Sequence, residues 1–178
     1  MLGLPKGKVF LIAWTAEWEK EFTSENKQIE NELGELILAV HHIGSTAVKN
    51  LSAKPIIDIA IELKEFQLGN QCVHGLERLG YAYKGTNILP DRHYLSKGEP
   101  RTQQIHMYQT GSLYLEKQFA FRDYLLTNDA ELKEYQELKV KLSQAYQTDK
   151  LLYADEKTEL VNSILDSLGF APTACKNN

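Results

Sequence analysis

His41-His42-Ile43-Gly44-Ser45-Thr46-Ala47-Val48, followed closely by Lys54-Pro55-Ile56-Ile57-Asp58-Ile59-Ala60-Ile61-Glu62, is the stretch that decides the fold. The run Leu36 to Val40 in front of it is apolar and of a length that suits a buried strand. Gly44-Ser45 interrupts that run, since glycine admits backbone angles and close approaches that other residues resist. Ser45 and Thr46 are suited to cap a short helical turn whose N–H groups would face whatever lies above the glycine. After Pro55 the pattern alternates. Ile57, Ile59, Ile61 and Leu63 take one face of a strand, and Asp58, Ala60 and Glu62 take the other. A strand whose open face begins with a carboxylate beside a Gly-Ser turn is suited to hold a metal-bound phosphate.

A glycine-serine pair followed at this distance by a strand bearing acids resembles the nucleotidyltransferase superfamily. The fuller wording, His42 to Val48 with Ala53-Lys54-Pro55-Ile56-Ile57-Asp58-Ile59, is similar to the GrpB family (UPF0157) within it. Phe121-Arg122-Asp123-Tyr124-Leu125, and Glu134-Tyr135 with Leu138-Lys139, are similar to that family's second signature. The resemblance extends from Trp18 to Leu165. It implies an α+β fold: a nucleotidyltransferase-like mixed β-sheet with flanking helices and a carboxy-terminal helical layer. It does not by itself name a reaction, and one departure bears on the chemistry. Active nucleotidyltransferases carry two acids two residues apart on one strand face, and here Ala60 stands in the second place. Glu62, the next acid on that face, lies roughly 13 Å along the strand at about 3.3 Å per residue. A two-metal site spans only about 3.5–4 Å, so Asp58 and Glu62 cannot form the usual pair.

The 178 residues suit one core, with 110–170 as its helical part and 171–178 as a flexible tail. Hydrophobic content of 43% and charged content of 25% are ordinary for a soluble domain. A formal charge of −4 gives no general reason to expect nucleic acid or an acidic membrane as partner. Cys72 and Cys175 are too few for a disulfide framework, and reduced thiols in a cytoplasmic protein are expected. No apolar run approaches the roughly 20 residues of a membrane-spanning helix. Oligomeric state is not legible.

Outward from the central stretch, Val9 to Ala13 reads as an edge strand. Trp18, Phe22, Ile29 and Leu33 mark an amphipathic helix capped by Thr15 and stopped by Gly34. A further helix is expected over Asn70 to Leu79. Three strands should follow, over Tyr81 to Lys84, Arg92 to Ser96 and Arg101 to Tyr108, separated by turns rich in Gly, Pro and Asn. Three helices should close the chain: Leu113 to Leu126, one carrying Leu132, Tyr135, Leu138, Leu142 and Tyr146, and Asp155 to Leu168. Thr127-Asn128-Asp129 supplies the cap for the second of these.

An aspartate between isoleucines needs a metal, a cation or hydrogen-bond donors, because unpaired acids are rarely buried. Asp58 is therefore the leading catalytic or metal-binding candidate, and Lys54 is close enough in sequence to neutralise it instead. The strand carrying His106 should supply a partner, and Asp58 with His106 would suit zinc or manganese better than magnesium. His41 and His42 are adjacent and so point to opposite faces of a strand; the family resemblance favours His42 in the cleft. Gly44, Ser45 and Thr46 would contact phosphate. Arg92, Arg101 and Arg122 are candidate anion partners, since guanidinium fits phosphate bidentately. Asp123 reads as structural, whereas Lys139 and Lys157 are open between a cleft and a solvated face. The expected ligand is a nucleotide or phosphorylated small molecule. Three readings remain open: nucleotidyl transfer, ligand capture without turnover, and a His/Asp metal-dependent hydrolase built from Asp58, His42 and His106.

Overall fold

The computed structural model describes residues 2–86 and 91–170, so the tail expected at 171–178, with Cys175, lies outside the described residues. The alternating run becomes β2, Ile57–Leu63, the second strand of a five-stranded mixed sheet. The strands are β1 (Ala39–Ile43), β2, β3 (Tyr81–Tyr83), β4 (His93–Lys97) and β5 (Gln103–Gln109), and their spatial order is β1-β2-β5-β4-β3. Only β2 and β5 run parallel; the other pairs are antiparallel.

Period two divides β2 as expected. Ile57, Ile59, Ile61 and Leu63 are fully buried beneath α1 (Glu17–Leu33) and α2 (Leu68–Arg78), in one cluster with Trp18, Ile29, Leu76, Leu95 and Ile105. Thr15 begins α1 by accepting from the Glu17 amide, and Gly34 ends it at φ +52. The other sheet face carries Ile43, Asp58, Ala60, Gln104, His106, Tyr108 and Tyr94, as the register shows. Part of that face is covered by α3 (Leu113–Thr127), whose Leu115 packs with Ile43, Ala60 and Tyr108. The remainder is the floor of a cleft.

Helices α4 (Asp129–Ala145), α5 (Lys150–Asp155) and α6 (Thr158–Ser167) complete the layer. Leu125, Tyr135 and Ile164 enclose Val48 and Leu51 from the segment after the Gly-Ser turn. Gln136 ties that segment to α4 from both ends of its amide, accepting from the Ser52 amide and donating to the Ser52 hydroxyl.

Several expectations are corrected. The strand expected over Leu36 to Val40 begins at Ala39, because a 3-10 turn over Gly34–Leu36 uses the first apolar residues and Leu38 stays 56% exposed. Val9 to Ala13 forms no strand. Isolated bridges join Leu4 to Arg101 and Ile12 to Ala53, and Val9 packs with Leu142 and Tyr153 instead. Asn128 is the N-cap residue of α4, its carbonyl accepting from the Leu132 amide, but its side chain makes no capping bond there and instead donates to the Tyr124 carbonyl at the end of α3. The helix expected over Asp155 to Leu168 is α6, starting at Thr158, and a short unexpected helix, α5, precedes it, capped by Asp149 through the Leu151 and Leu152 amides. Among the described residues no helix is long and apolar enough to cross a membrane.

Candidate functional site

Gly44 follows β1 at φ +69 and ψ −171, a conformation open almost only to glycine. A second constraint is independent of backbone angle. A Cβ on Gly44 would lie 2.5 Å from Asp58 Oδ2, so the glycine is the cradle into which the carboxylate leans. Register brings them together, because Ile43 pairs with Asp58 across β1 and β2. The turn continues as one 3-10 turn, Ser45–Ala47, without a side-chain cap. Thr46 is buried, and its hydroxyl meets His42 Nε2 at 3.0 Å and the Ile56 carbonyl at 3.4 Å, which fastens the turn to both strands.

Asp58 accepts from the Gln104 amide, its neighbour in the parallel β2–β5 ladder, and Gln104 in turn accepts from the Tyr94 hydroxyl at 2.8 Å. His106, one row on and opposite Ala60, places Nε2 3.8 Å from Asp58 Oδ1, an electrostatic contact rather than a hydrogen bond. Its Nδ1 lies 3.1 Å from an Arg92 guanidinium nitrogen. Arginine only donates, so Nδ1 accepts and the ring proton sits on Nε2, the nitrogen nearer Asp58. Burial acts to raise the pKa of Asp58, but His106, the Gln104 amide and Lys54 outweigh it and hold the carboxyl below its usual range.

Three lysines face this carboxylate. Lys54 and Lys157 lie over the Tyr153 ring, at 5.2 and 4.5 Å from its centroid. Lys139 is only 2% exposed, donates to the Ser52 carbonyl at 2.6 Å and lies 5.3 Å from the Tyr135 centroid. Burial lowers the pKa of all three and the Asp58 charge opposes it; neighbouring cations add to the fall, Lys150 and Arg101 at Lys54, Lys157 and Lys54 at Lys139, and Lys54 at Lys157. Lys157 is brought to about 8, and Lys139 is lowered well below an ordinary lysine. Lys54, Lys139, Lys157, Asp58, Ser45 and Tyr153 line one small cavity of about 160 Å³. A larger one of about 380 Å³ shares Gly44, Ser45 and Lys157 with it and runs between α3 and α6 past Tyr114, Phe121, Tyr135 and Val161. A third, about 260 Å³, opens over Asp58, Arg92, Gln104, His106 and Tyr108. Gly44 lines all three.

The expected site residues therefore divide. Gly44, Ser45, Thr46, Lys54 and Asp58 line the small cavity, and Arg92 and His106 adjoin it on the sheet. His42 does not face Asp58. It pairs with Ile59, on the opposite sheet face, and stacks on Phe22 of α1 with centroids 4.7 Å apart. His41 shares the face of Asp58, but pairs with Glu62 at 3.2 Å and packs edge-on against Phe119. The convergence of His42, His106 and Asp58 required by a hydrolase is absent, and among the described residues no group of three or more His, Cys, Asp or Glu is arranged to hold a metal. Arg122 is engaged rather than poised: it donates to Asp123 at 2.7 Å and to the His42 carbonyl at 2.9 Å, pinning α3 to β1. Arg101 pairs through its backbone with Leu4. Tyr153 had no signal, because the residues before Asp155 read as no element.

Burial brings the pKa of His42 to about 4, the Arg122 charge adding to the fall and the Asp58 charge opposing it. Its folded pKa thus lies below the ordinary 6.5, so the unfolded chain binds the extra proton and stability falls as pH drops through 6.5 toward 4. Urea unfolding at pH 7 and pH 5 should differ by about 2 kcal/mol from this residue. His42→Phe, which keeps the stack on Phe22, should flatten that part of the profile; an unchanged slope would contradict the assignment.

A profile of the GrpB family, described as GrpB protein, matches residues 8–167. The UPF0157 protein YqkA of Bacillus subtilis is 36% identical over 160 residues, which are 89% of this chain but 47% of that protein, so the chain spans about half its length. The crystal structure of conserved protein GrpB from Enterococcus faecalis superposes with a TM-score of 0.81 at 34% identity, covering 90% of this chain and all of that one. The structure of Cid1 in complex with its short product ApU superposes with a TM-score of 0.53 at 12% identity, over 72% of this chain and 42% of Cid1. That likeness shows the nucleotidyltransferase-like fold alone.

Proposed function

The chain belongs to the GrpB family, and from that premise we propose that it binds a nucleotide or phosphorylated small molecule in the cleft beside Gly44-Ser45 and Asp58. The observation that carries the reading is the trio Lys54, Lys139 and Lys157, turned into one cavity, the first and last over Tyr153 and Lys139 over Tyr135, against one carboxylate that acts on all of them. Buried lysines cost desolvation energy and repel one another. An anionic guest offsets both costs, and a phosphate brings enough negative charge to do so. Ser45 and the glycine turn leave room for its oxygens, whereas any side chain at Gly44 would fill the space. The larger cavity gives the rest of the ligand an aromatic and aliphatic lining. Ala60 favours capture over transfer, because the face lacks the second acid that two-metal chemistry requires.

Calorimetric titration with nucleoside mono-, di- and triphosphates tests the reading. At least one should bind at a single site, and Lys157→Met should weaken it by about tenfold or more, the loss of one charged hydrogen bond. Absence of heat with the whole panel, or equal affinity for the variant, would remove the proposal.

A further inference from the structure

The chemistry of the donor set does not suit a divalent metal. Asp58 accepts from Gln104 and faces the N–H nitrogen of His106, whose other nitrogen is occupied by Arg92. The imidazole thus offers no lone pair toward the carboxylate. Releasing Nε2 to a metal would place the ring proton on Nδ1, against a guanidinium that can only donate. Ala60 supplies no second oxygen. What surrounds the carboxylate instead is cationic. Lys54, Lys139 and Lys157 line one cavity with a single carboxylate, and a phosphate monoester, which near neutral pH carries about two negative charges, would favour their protonated forms.

A second, independent observation concerns Tyr153. Its ring is fully buried and lies beneath Lys54 and Lys157, yet its hydroxyl has no hydrogen-bond partner among the described residues. Buried hydroxyls are almost always paired, and a phosphate oxygen is an acceptor of the right kind. The third observation is shape. The lysine cavity is small, but it joins through Gly44, Ser45 and Lys157 a larger one with Phe121, Tyr135 and Val161 in its wall.

Resting on the phosphate-binding reading above, we propose that Lys54, Lys139 and Lys157 take the terminal phosphate dianion of a phosphate monoester without a divalent cation. The apolar or aromatic part of the ligand lies between α3 and α6. Lysine ammonium groups here occupy the role that a metal would fill at an acidic pair.

The probes are phenyl phosphate and inorganic phosphate, titrated calorimetrically in excess EDTA and again in manganese. Phenyl phosphate should bind with the same affinity in both, and about tenfold more tightly than inorganic phosphate through its ring. Lys157→Met, checked as folded by thermal unfolding, should lose about tenfold in both buffers. Binding only in manganese would overturn the metal-free inference and leave the phosphate reading standing. Failure of both probes in both buffers would sink the two together. Equal affinity for the two probes would remove the apolar subsite.

Discussion

Gly44→Ala is expected to destabilise the protein by about 3 kcal/mol and to lower its melting temperature by roughly 6–12 °C for a chain of this size. Two costs combine. The backbone angles at Gly44 are nearly forbidden to residues with a Cβ, and the new methyl would meet Asp58 Oδ2 at 2.5 Å. A control separates them. Gly111 also has positive φ, +74, but nothing lies within 4 Å of its Cβ position, so Gly111→Ala carries backbone strain alone and should cost about 1–2 kcal/mol. In the double variant Gly44→Ala/Asp58→Ala the clash with the carboxylate is removed and only the 3.0 Å approach of the two Cβ atoms remains, so the two substitutions should couple by about 1 kcal/mol or more in a double-mutant cycle. Simple additivity would mean that Asp58 does not lean on Gly44. The variant should also lose ligand affinity, since the methyl fills the point where all three cavities meet.

Asp58→Asn is the second large effect. It removes the carboxylate that raises the pKa of Lys54, Lys139 and Lys157 together, and the one that His106 faces. Breaking a half-buried charge cluster from one side costs about 1–3 kcal/mol, less than for a fully buried pair, because the opposite charges stay behind uncompensated. The pH dependence has a definite sign. A lysine whose folded pKa is lowered binds fewer protons folded than unfolded, so stability rises with pH between the two values. For Lys157 that window opens at about 8 and closes near the ordinary 10.5. Without Asp58 the lysines release protons earlier. The deficit of the variant, measured by urea unfolding, should therefore be largest at pH 7 and smaller at pH 9. A constant deficit, or none at pH 7, would show that the lysines do not depend on this acid.

The sheet and the position of Asp58 were legible because period two is a strong signal in β2, where isoleucines alternate with Asp58, Ala60 and Glu62. Gln104 is reached by the same rule, two residues before His106 on one strand face, although its bond to Asp58 needs the parallel register. His42 failed for a related reason. Adjacent histidines must face opposite ways, but only the pairing of Ile43 with Asp58 says which one shares the acid's face. The lysines were harder still. They come from a loop, from α4 and from the break between α5 and α6, and in a helical pattern a lysine reads as solvated until packing shows otherwise. The amino-terminal segment misled because Val9 to Leu11 is apolar for the benefit of α4 and α5 rather than a sheet. Its bridge from Ile12 to Ala53 holds the backbone just before Lys54, so this segment also positions the site.

The most direct test of the central claim is a crystal structure of the protein grown with phenyl phosphate in the presence of EDTA. The account predicts density for the phosphate among the Lys54, Lys139 and Lys157 ammonium groups, beside Ser45 and the Tyr153 hydroxyl, with the ring between α3 and α6. Density for the anion elsewhere, with the three ammonium groups turned out to solvent, would contradict it.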